Sequence, residues 1–314
     1  YVKSGDEHHE KLAVFLDSSN HYFRPDSSIK EYHRTYNSKM GKLTFRIIPV
    51  AMDSAVLMLK RGQTSIIMQE TQDSLYYLFD PQNADARLGY MSLYSAINDG
   101  QVVYDNSSIK ILDQRGTRYI DFLIPGLLAM GIMNGFLWGI GYGLIEIRTK
   151  KLLRRMMAAP MKKSLFIFSH VFARFTLSSF EAAVLLIFSW IYFRIPIQGS
   201  ITAFVLIFVA GGFCFSGISI LMASRTSSSR IGNSLINLVS MPMLILSGIF
   251  FSYHNFPEAV VPAIQKLPLT MLADSIRSIM IEGTGLRENL PEFFFLSGLG
   301  LLCFTVGVRI YKWY

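Results

Sequence analysis

The chain has 314 residues, of which 51% are hydrophobic and 17% charged, with a formal net charge of +8 and two cysteines. Its apolar residues gather into runs of bilayer length, which excludes an ordinary soluble enzyme. The first 118 residues carry equal numbers of basic and acidic side chains, so the whole positive excess falls in the apolar remainder, a pattern of membrane topology rather than of nucleic-acid binding.

Residues 1–118 alternate strand-like and helix-like patterns. Strands are expected at Leu12–Leu16, Leu43–Ile48, Ser65–Met68 and Leu75–Phe79, with Arg61-Gly62 and Gln72-Asp73 as turns. Helices are expected near Ser27–Ser38, Ala51–Lys60 and Asp85–Asn98, and residues 101–118 read as a stalk. This alternation implies a small α/β domain with one sheet covered on a face. The chain begins at Tyr1 with no apolar run before this domain, so an exported domain predicts a further transmembrane helix upstream. His8-His9-Glu10 reads as a solvated polar terminus rather than a metal site, and Asn106-Ser107-Ser108 as a chance match to a glycosylation acceptor.

A hydrocarbon core about 30 Å thick needs roughly 20 apolar residues of helix. Phe122–Ile145 offers 24 residues without a charge. Similar runs follow at Phe175–Phe193, interrupted by Glu181, at Ile201–Ser224 and at Ile231–Tyr253. Phe293–Val308 becomes long enough if Arg309 snorkels and Tyr311, Trp313 and Tyr314 form an aromatic belt. The predicted fold class is therefore a polytopic α-helical membrane protein with five visible spans, a sixth expected upstream, and a small extracytoplasmic α/β domain. Its two regions are residues 1–118, the domain and stalk, and residues 119–314, the transmembrane domain.

Basic residues cluster from Arg148 to Arg174, at Arg225 and Arg230, and at Arg309 and Lys312. Alternating spans put all three clusters on one side, which the positive-inside rule makes cytoplasmic, leaving residues 1–118 outside a plasma membrane, in bacteria the inner one. Cys214 and Cys303 both lie inside apolar runs and read as packing residues, not as a disulfide or metal pair. The external segment from residue 254 holds Phe256, Pro257, Pro262 and Pro268, then a helical pattern from Thr270 to Ile281. It is too apolar for a plain loop and too broken for a span, so a re-entrant or interfacial hairpin is expected over 254–283.

Between Lys150 and Met157 two classes of side chain separate at helical spacing. Leu152, Leu153, Met156 and Met157 take one face, and Lys150, Lys151, Arg154 and Arg155 the other, giving a short amphipathic helix that ends near Pro160. A lipid-headgroup anchor and a docking helix both fit this pattern. Polar groups inside spans are functional candidates. Arg174, Ser178 and Glu181 share a helical face and fit an internal ion pair, a substrate or proton contact, or a span-boundary effect. Asn134, Asn233 and Asn237 fit either interhelical hydrogen bonds or substrate contact. No G-x-x-x-x-G-K-[ST] occurs, so no P-loop is present to cradle ATP phosphates and no catalysis is expected on this chain. Gly139, Gly141 and Gly143 read as helix packing.

The order of these parts resembles the type 2 ABC exporter permeases, in the drug and lipid exporter branch with an extracytoplasmic domain. The residues carrying it are Glu146 at the end of a span, the basic helix from Arg148 to about 158, and Ala158-Ala159-Pro160 after it. Leu246-Ser-Gly-Ile-Phe-Phe251, Phe256-Pro257, Lys266-Leu-Pro-Leu-Thr270, Asp274-Ser-Ile-Arg277 and Glu282-Gly283 look like that family's last-span signature and external hairpin. Leu16-Asp-Ser-Ser-Asn20, Leu59-Lys-Arg-Gly62 and Asp80-Pro-Gln-Asn83 are similar to its outside domain. The resemblance implies that Glu146, Arg148, Lys150, Lys151, Leu152, Arg154, Arg155, Met156 and Pro160 couple to a separate ATPase subunit. That subunit would bind ATP and Mg, leaving no cofactor and no metal on this chain. It also implies a second permease copy, with homodimer and heterodimer both open, contact with membrane lipid, and an optional periplasmic adaptor. The cargo would be an amphipathic small molecule or lipid leaving the cytoplasm or inner leaflet. Read without the resemblance, the residues also fit an ATP-independent secondary transporter or channel, or a membrane-anchored sensor.

Overall fold

The computed structural model describes residues 8–15, 32–38, 41–49, 52–64, 66–71, 74–80, 82–97, 109–110, 118–151, 163–226, 228–250, 252–253, 256–257 and 259–311. The chain divides into two compact units, Tyr1–Phe122 and Leu123–Tyr314.

The first unit is built on strands β1 (His8–Phe15), β2 (Tyr32–Ser38), β3 (Gly41–Pro49), β4 (Ile67–Thr71), β5 (Ser74–Leu78) and β6 (Ile109–Lys110), with helices α1 (Met52–Lys60) and α2 (Ala84–Ile97). The strands form one sheet in the order β2-β3-β1-β4-β5-β6. β1 lies parallel to β3 and β4, while β2 and β5 run antiparallel to β3 and β4. The expected polar helix over 27–38 is corrected here: residues 32–38 are strand, with Tyr32 opposite Ile47 and Ser38 opposite Gly41. Tyr32, Thr35 and Tyr36 are strand-forming residue types, and the ladder to β3 outweighs a weak polar helical pattern. The stalk is also corrected in part, because Ile109 and Lys110 pair with Tyr77 and Leu78 and close the sheet's far edge.

Both faces of β4 and β5 are covered, not one. Successive strand side chains point to opposite faces. Ile67 and Leu78 pack with Ala55 and Val56 of α1. Tyr77 and Phe79, of the opposite parity, stack on Tyr90 of α2 with ring centroids 5.0 and 5.3 Å apart. The near-continuous apolar runs Ile66-Ile67-Met68 and Tyr76-Tyr77-Leu78-Phe79 are what a doubly covered strand requires. Asp80 ends this core as an Asx turn, one carboxylate oxygen accepting from Gln82 N–H at 2.9 Å and the other from Tyr119 N–H at 2.7 Å. That second bond satisfies a donor in the first turn of the next helix.

The second unit is helical. A continuous helical stretch runs through α3 (Tyr119–Phe136), a π-helical insert at Leu137–Tyr142, and α4 (Gly143–Thr149). α5 (Lys163–Phe193), α6 (Ile201–Ala223), α7 (Ser229–Leu246), α8 (Val261–Gln265), α9 (Pro268–Arg277) and α10 (Leu290–Ile310) follow. Among the described residues, four helices are long and apolar enough to cross a membrane: 119–149, 165–193, 201–223 and 290–310. The fifth expected span appears as α7, which is 18 residues long and carries Arg230, Asn233, Ser234, Asn237 and Ser240, so its composition falls short of the other four. It stops at Leu246 rather than Tyr253 because Gly248 takes φ +70 and turns the chain. α5 begins at Lys163, earlier than expected, since the helix continues straight through Arg174.

Parallel helices α6 and α10 form the tightest pair. A Cβ on Gly217 would strike the Gly300 carbonyl, one on Gly300 would meet the Cys214 backbone at 2.9 Å, and one on Gly307 would meet the Leu221 amide at 2.8 Å. Backbones this close are a small-residue helix interface. Cys214 and Cys303 sit in it as buried free thiols.

Candidate functional site

The expected coupling residues fall at the end of the first span. α4 closes on an Lys150 N–H to Glu146 carbonyl bond at 3.0 Å, and Lys151 then takes φ +56, so the chain leaves the helix there. Glu146 and Lys150 form an exposed i, i+4 ion pair at 2.7 Å, and this hydrogen bond holds the lysine above its ordinary pKa. Arg148, expected on the basic surface, is turned into the bundle instead. Its guanidinium donates to the carbonyls of Ala223 and Thr226 at 2.9 Å each and of Ser224 at 2.8 Å, and lies 4.6 Å over the Tyr311 ring. Thr149 adds a 3.2 Å hydroxyl contact to Ser229. The ends of α4, α6 and α10 and the start of α7 therefore meet at one end of the bundle. Leu152, Arg154, Arg155, Met156 and Pro160, with the rest of the amphipathic segment, lie outside the described residues. The helix expected from 148 is interrupted at Lys151, and Arg148 belongs to α4.

Within the membrane, Arg174 and Glu181 are brought together by one helix, two turns apart, with Nη2 to Oε2 at 2.6 Å. The arginine is only 14% exposed and the glutamate 55%. Arg174 lies across Gly135 and Gly139: a Cβ at Gly135 would overlap its Nη2, and one at Gly139 would meet its Cδ at 2.8 Å. The Gly135-x-x-x-Gly139 spacing is the signal that sequence reasoning passed over, since it is a groove into which a side chain from a crossing helix fits. Phe136 packs edge-on to Phe175 at 4.7 Å beside it. Ser178 is buried between the two charges along α5, and neither its hydroxyl nor Arg174 Nε has a hydrogen-bond partner among the described residues. Asn134 is half-buried next to Gly135, whereas Asn233 (half-buried) and Asn237 (exposed) belong to α7. Gly139 serves the arginine, whereas a Cβ at Gly143 would meet nothing within 4 Å among the described residues. The π-helical insert starts here, and Ser219 compensates it, its hydroxyl reaching the Phe136 carbonyl at 3.0 Å and that of Phe215 at 2.6 Å.

The hairpin is two helices, α8 and then α9 continued by a π-helical turn at Ser278–Glu282, stopped by Gly283 at φ +74. Asp274 accepts from Arg277 Nη1 at 2.7 Å and from the Tyr253 hydroxyl at 2.9 Å, while Arg277 Nη2 donates to the Gly248 carbonyl at 3.3 Å. So Asp274 and Arg277, read from sequence as hairpin residues, fasten α9 to the turn that ends α7. Tyr253 and Gly248 complete that network, and a Cβ at Gly248 would strike the tyrosine ring at 2.6 Å. Gln198 and Gly199 N–H groups bond to the Met280 and Ile279 carbonyls at 3.3 and 2.9 Å, tying the loop before α6 to the same helix. Asn289 holds the far side through Ser278, Thr284 and Gly285. Phe256 lies half-buried and Pro257 exposed before α8, and Pro268 is buried at the first position of α9, where a missing N–H costs nothing. No group of metal-ligating side chains occurs among the described residues.

Comparison with known proteins bears on what this arrangement is for. Residues 22–309 match a family described as ABC-2 family transporter protein. The chain is 25% identical over 197 residues to the ABC transporter G family member 20 of Dictyostelium discoideum, covering 62% of this chain and 27% of that protein. It is 28% identical over 118 residues to the inner membrane transport permease YhhJ of Escherichia coli, covering 38% of this chain and 32% of that one. The aligned parts thus span about a quarter and a third of those relatives. A match over nearly the whole chain, on a bundle of membrane-length helices, places this protein in the ABC-2 family as a membrane-spanning permease.

Proposed function

We propose that the chain is the permease subunit of an ATP-driven exporter that moves an amphipathic small molecule or lipid out of the cytoplasm or inner leaflet. A separate ABC ATPase binds ATP and Mg and docks on the basic segment that begins at Lys150. Two permease copies flank the pathway, residues 1–118 stand outside the membrane, and the hairpin over 254–283 covers the exit. The observation that carries this reading is the cluster at the end of α4: the ends of α6 and α10 and the start of α7 converge on residues 148–149, directly before the basic segment. A partner pressing there has a route into several helices at once. ATP-driven closure of two ATPases would bias the bundle between two packings.

Charge reversal at Arg154 and Arg155 tests the docking. Co-purification of the ATPase is expected to fall by roughly tenfold or more, since two like-charge contacts at about 1 kcal/mol each multiply. Unchanged co-purification would remove the docking site from this segment.

A further inference from the structure

Arg148 lies where a coupling residue is expected, and its guanidinium is turned into the bundle. It spends three N–H groups on the Ala223 carbonyl that ends α6 and on the Ser224 and Thr226 carbonyls just past it, and stacks on Tyr311, the residue that ends α10. A cation at a helix C-terminus complements the dipole and satisfies carbonyls that have no intrahelical donor. The planar fork of a guanidinium does this for three carbonyls in one fixed geometry, whereas an ammonium is a compact point charge on a flexible stem. α6 and α10 are themselves locked backbone to backbone through Gly217, Gly300 and Gly307, so a grip on their shared end is a grip on a single rigid pair. Lys150 caps the helix and Lys151 leaves it at φ +56, so the gripping residue sits at the helix end directly before the basic segment.

We infer that Arg148 is the positioning residue that transmits nucleotide-driven movement: a force on the segment after Lys151 reaches the α6–α10 pair through its guanidinium, not through direct contact with the ATPase. Loss of this joint leaves the ATPase bound and turning over while the α6–α10 pair no longer follows. The inference rests on the exporter reading above.

The test uses the full chain with its ATPase in lipid nanodiscs. Cys214 and Cys303 are replaced by alanine, and spin labels are placed at Phe180 on α5 and Leu302 on α10, both exposed. The label distance is read by pulsed spectroscopy without nucleotide and after vanadate trapping. The chain with Arg148 intact is expected to show a shift on trapping, Arg148→Lys a reduced one, and Arg148→Gln none, with ATPase co-purification equal in all three. Arg148→Lys keeps the charge at the helix ends and so guards against a folding failure in the glutamine variant. A full shift in Arg148→Lys and Arg148→Gln, with ATPase bound, overturns the joint and leaves the exporter reading standing. Failure of any ATPase to bind the chain with Arg148 intact overturns both.

Discussion

At the scale of single residues, the Arg174–Glu181 pair decides between a structural and a transport role for charge inside the membrane. Arg174 is nearly covered and seated on two glycines, so removing Glu181 strands a guanidinium that cannot readily reach water. Removing both charges leaves an apolar crossing. Leaving a covered charge without its partner is costly, whereas replacing both charges by apolar groups is often neutral. We expect Arg174→Met and Glu181→Leu each to lower thermal stability, by about 1–3 kcal/mol, and the double variant to recover most of that loss. Thermal unfolding of the four proteins in one detergent gives the coupling directly. Additive losses would show that the two charges act independently, and would return Glu181, more than half exposed, to the pathway reading.

At the scale of elements, the α6–α10 interface depends on which glycines face the other helix. Gly300 and Gly298 are two residues apart on α10. A Cβ at Gly300 meets the Cys214 backbone at 2.9 Å, and one at Gly298 meets nothing within 4 Å. Backbone cannot swing aside as a side chain can, so Gly300→Ala must separate the helices. It should cost at least the roughly 1–3 kcal/mol typical of overpacking, while Gly298→Ala should be neutral or slightly stabilising, as alanine is the better helix former. Melting curves that shift equally for the two would mean that α10 packs through another face. Elements of this kind were legible in the sequence where one physical signal dominated. Long apolar runs placed the α3–α4 stretch, α6 and α10 within a few residues. Where two signals competed, the pattern misled. Residues 32–38 look polar and helical until β3 supplies a ladder, and α5 seemed to start after Arg174 because nothing local reveals a glycine groove on another helix. The inward turn of Arg148 was illegible for the same reason: its three acceptors lie more than 70 residues downstream.

At the scale of the whole molecule, the charge distribution predicts an orientation that can be measured. The helical stretch from 119 to 149 is 31 residues, about 46 Å at 1.5 Å per residue, enough to cross a 30 Å core with residues to spare at both ends. Residues on either side of it must then face opposite compartments. Lys150, Lys151, Arg225, Arg230 and Arg309 lie within a few residues of the helix ends gathered by Arg148, whereas residues 1–118 are balanced in charge. Translocating the balanced side and retaining the basic side is the arrangement that membrane insertion favours. Gln82 and Lys151 are both exposed and lie on either side of that stretch, so single cysteines there report the orientation. In intact cells, with Cys214 and Cys303 replaced by alanine, a membrane-impermeant maleimide should label Gln82→Cys and leave Lys151→Cys unmodified until the membrane is opened. The reverse pattern would put the basic segment outside, beyond reach of any cytoplasmic ATPase, and the exporter reading would fall with it.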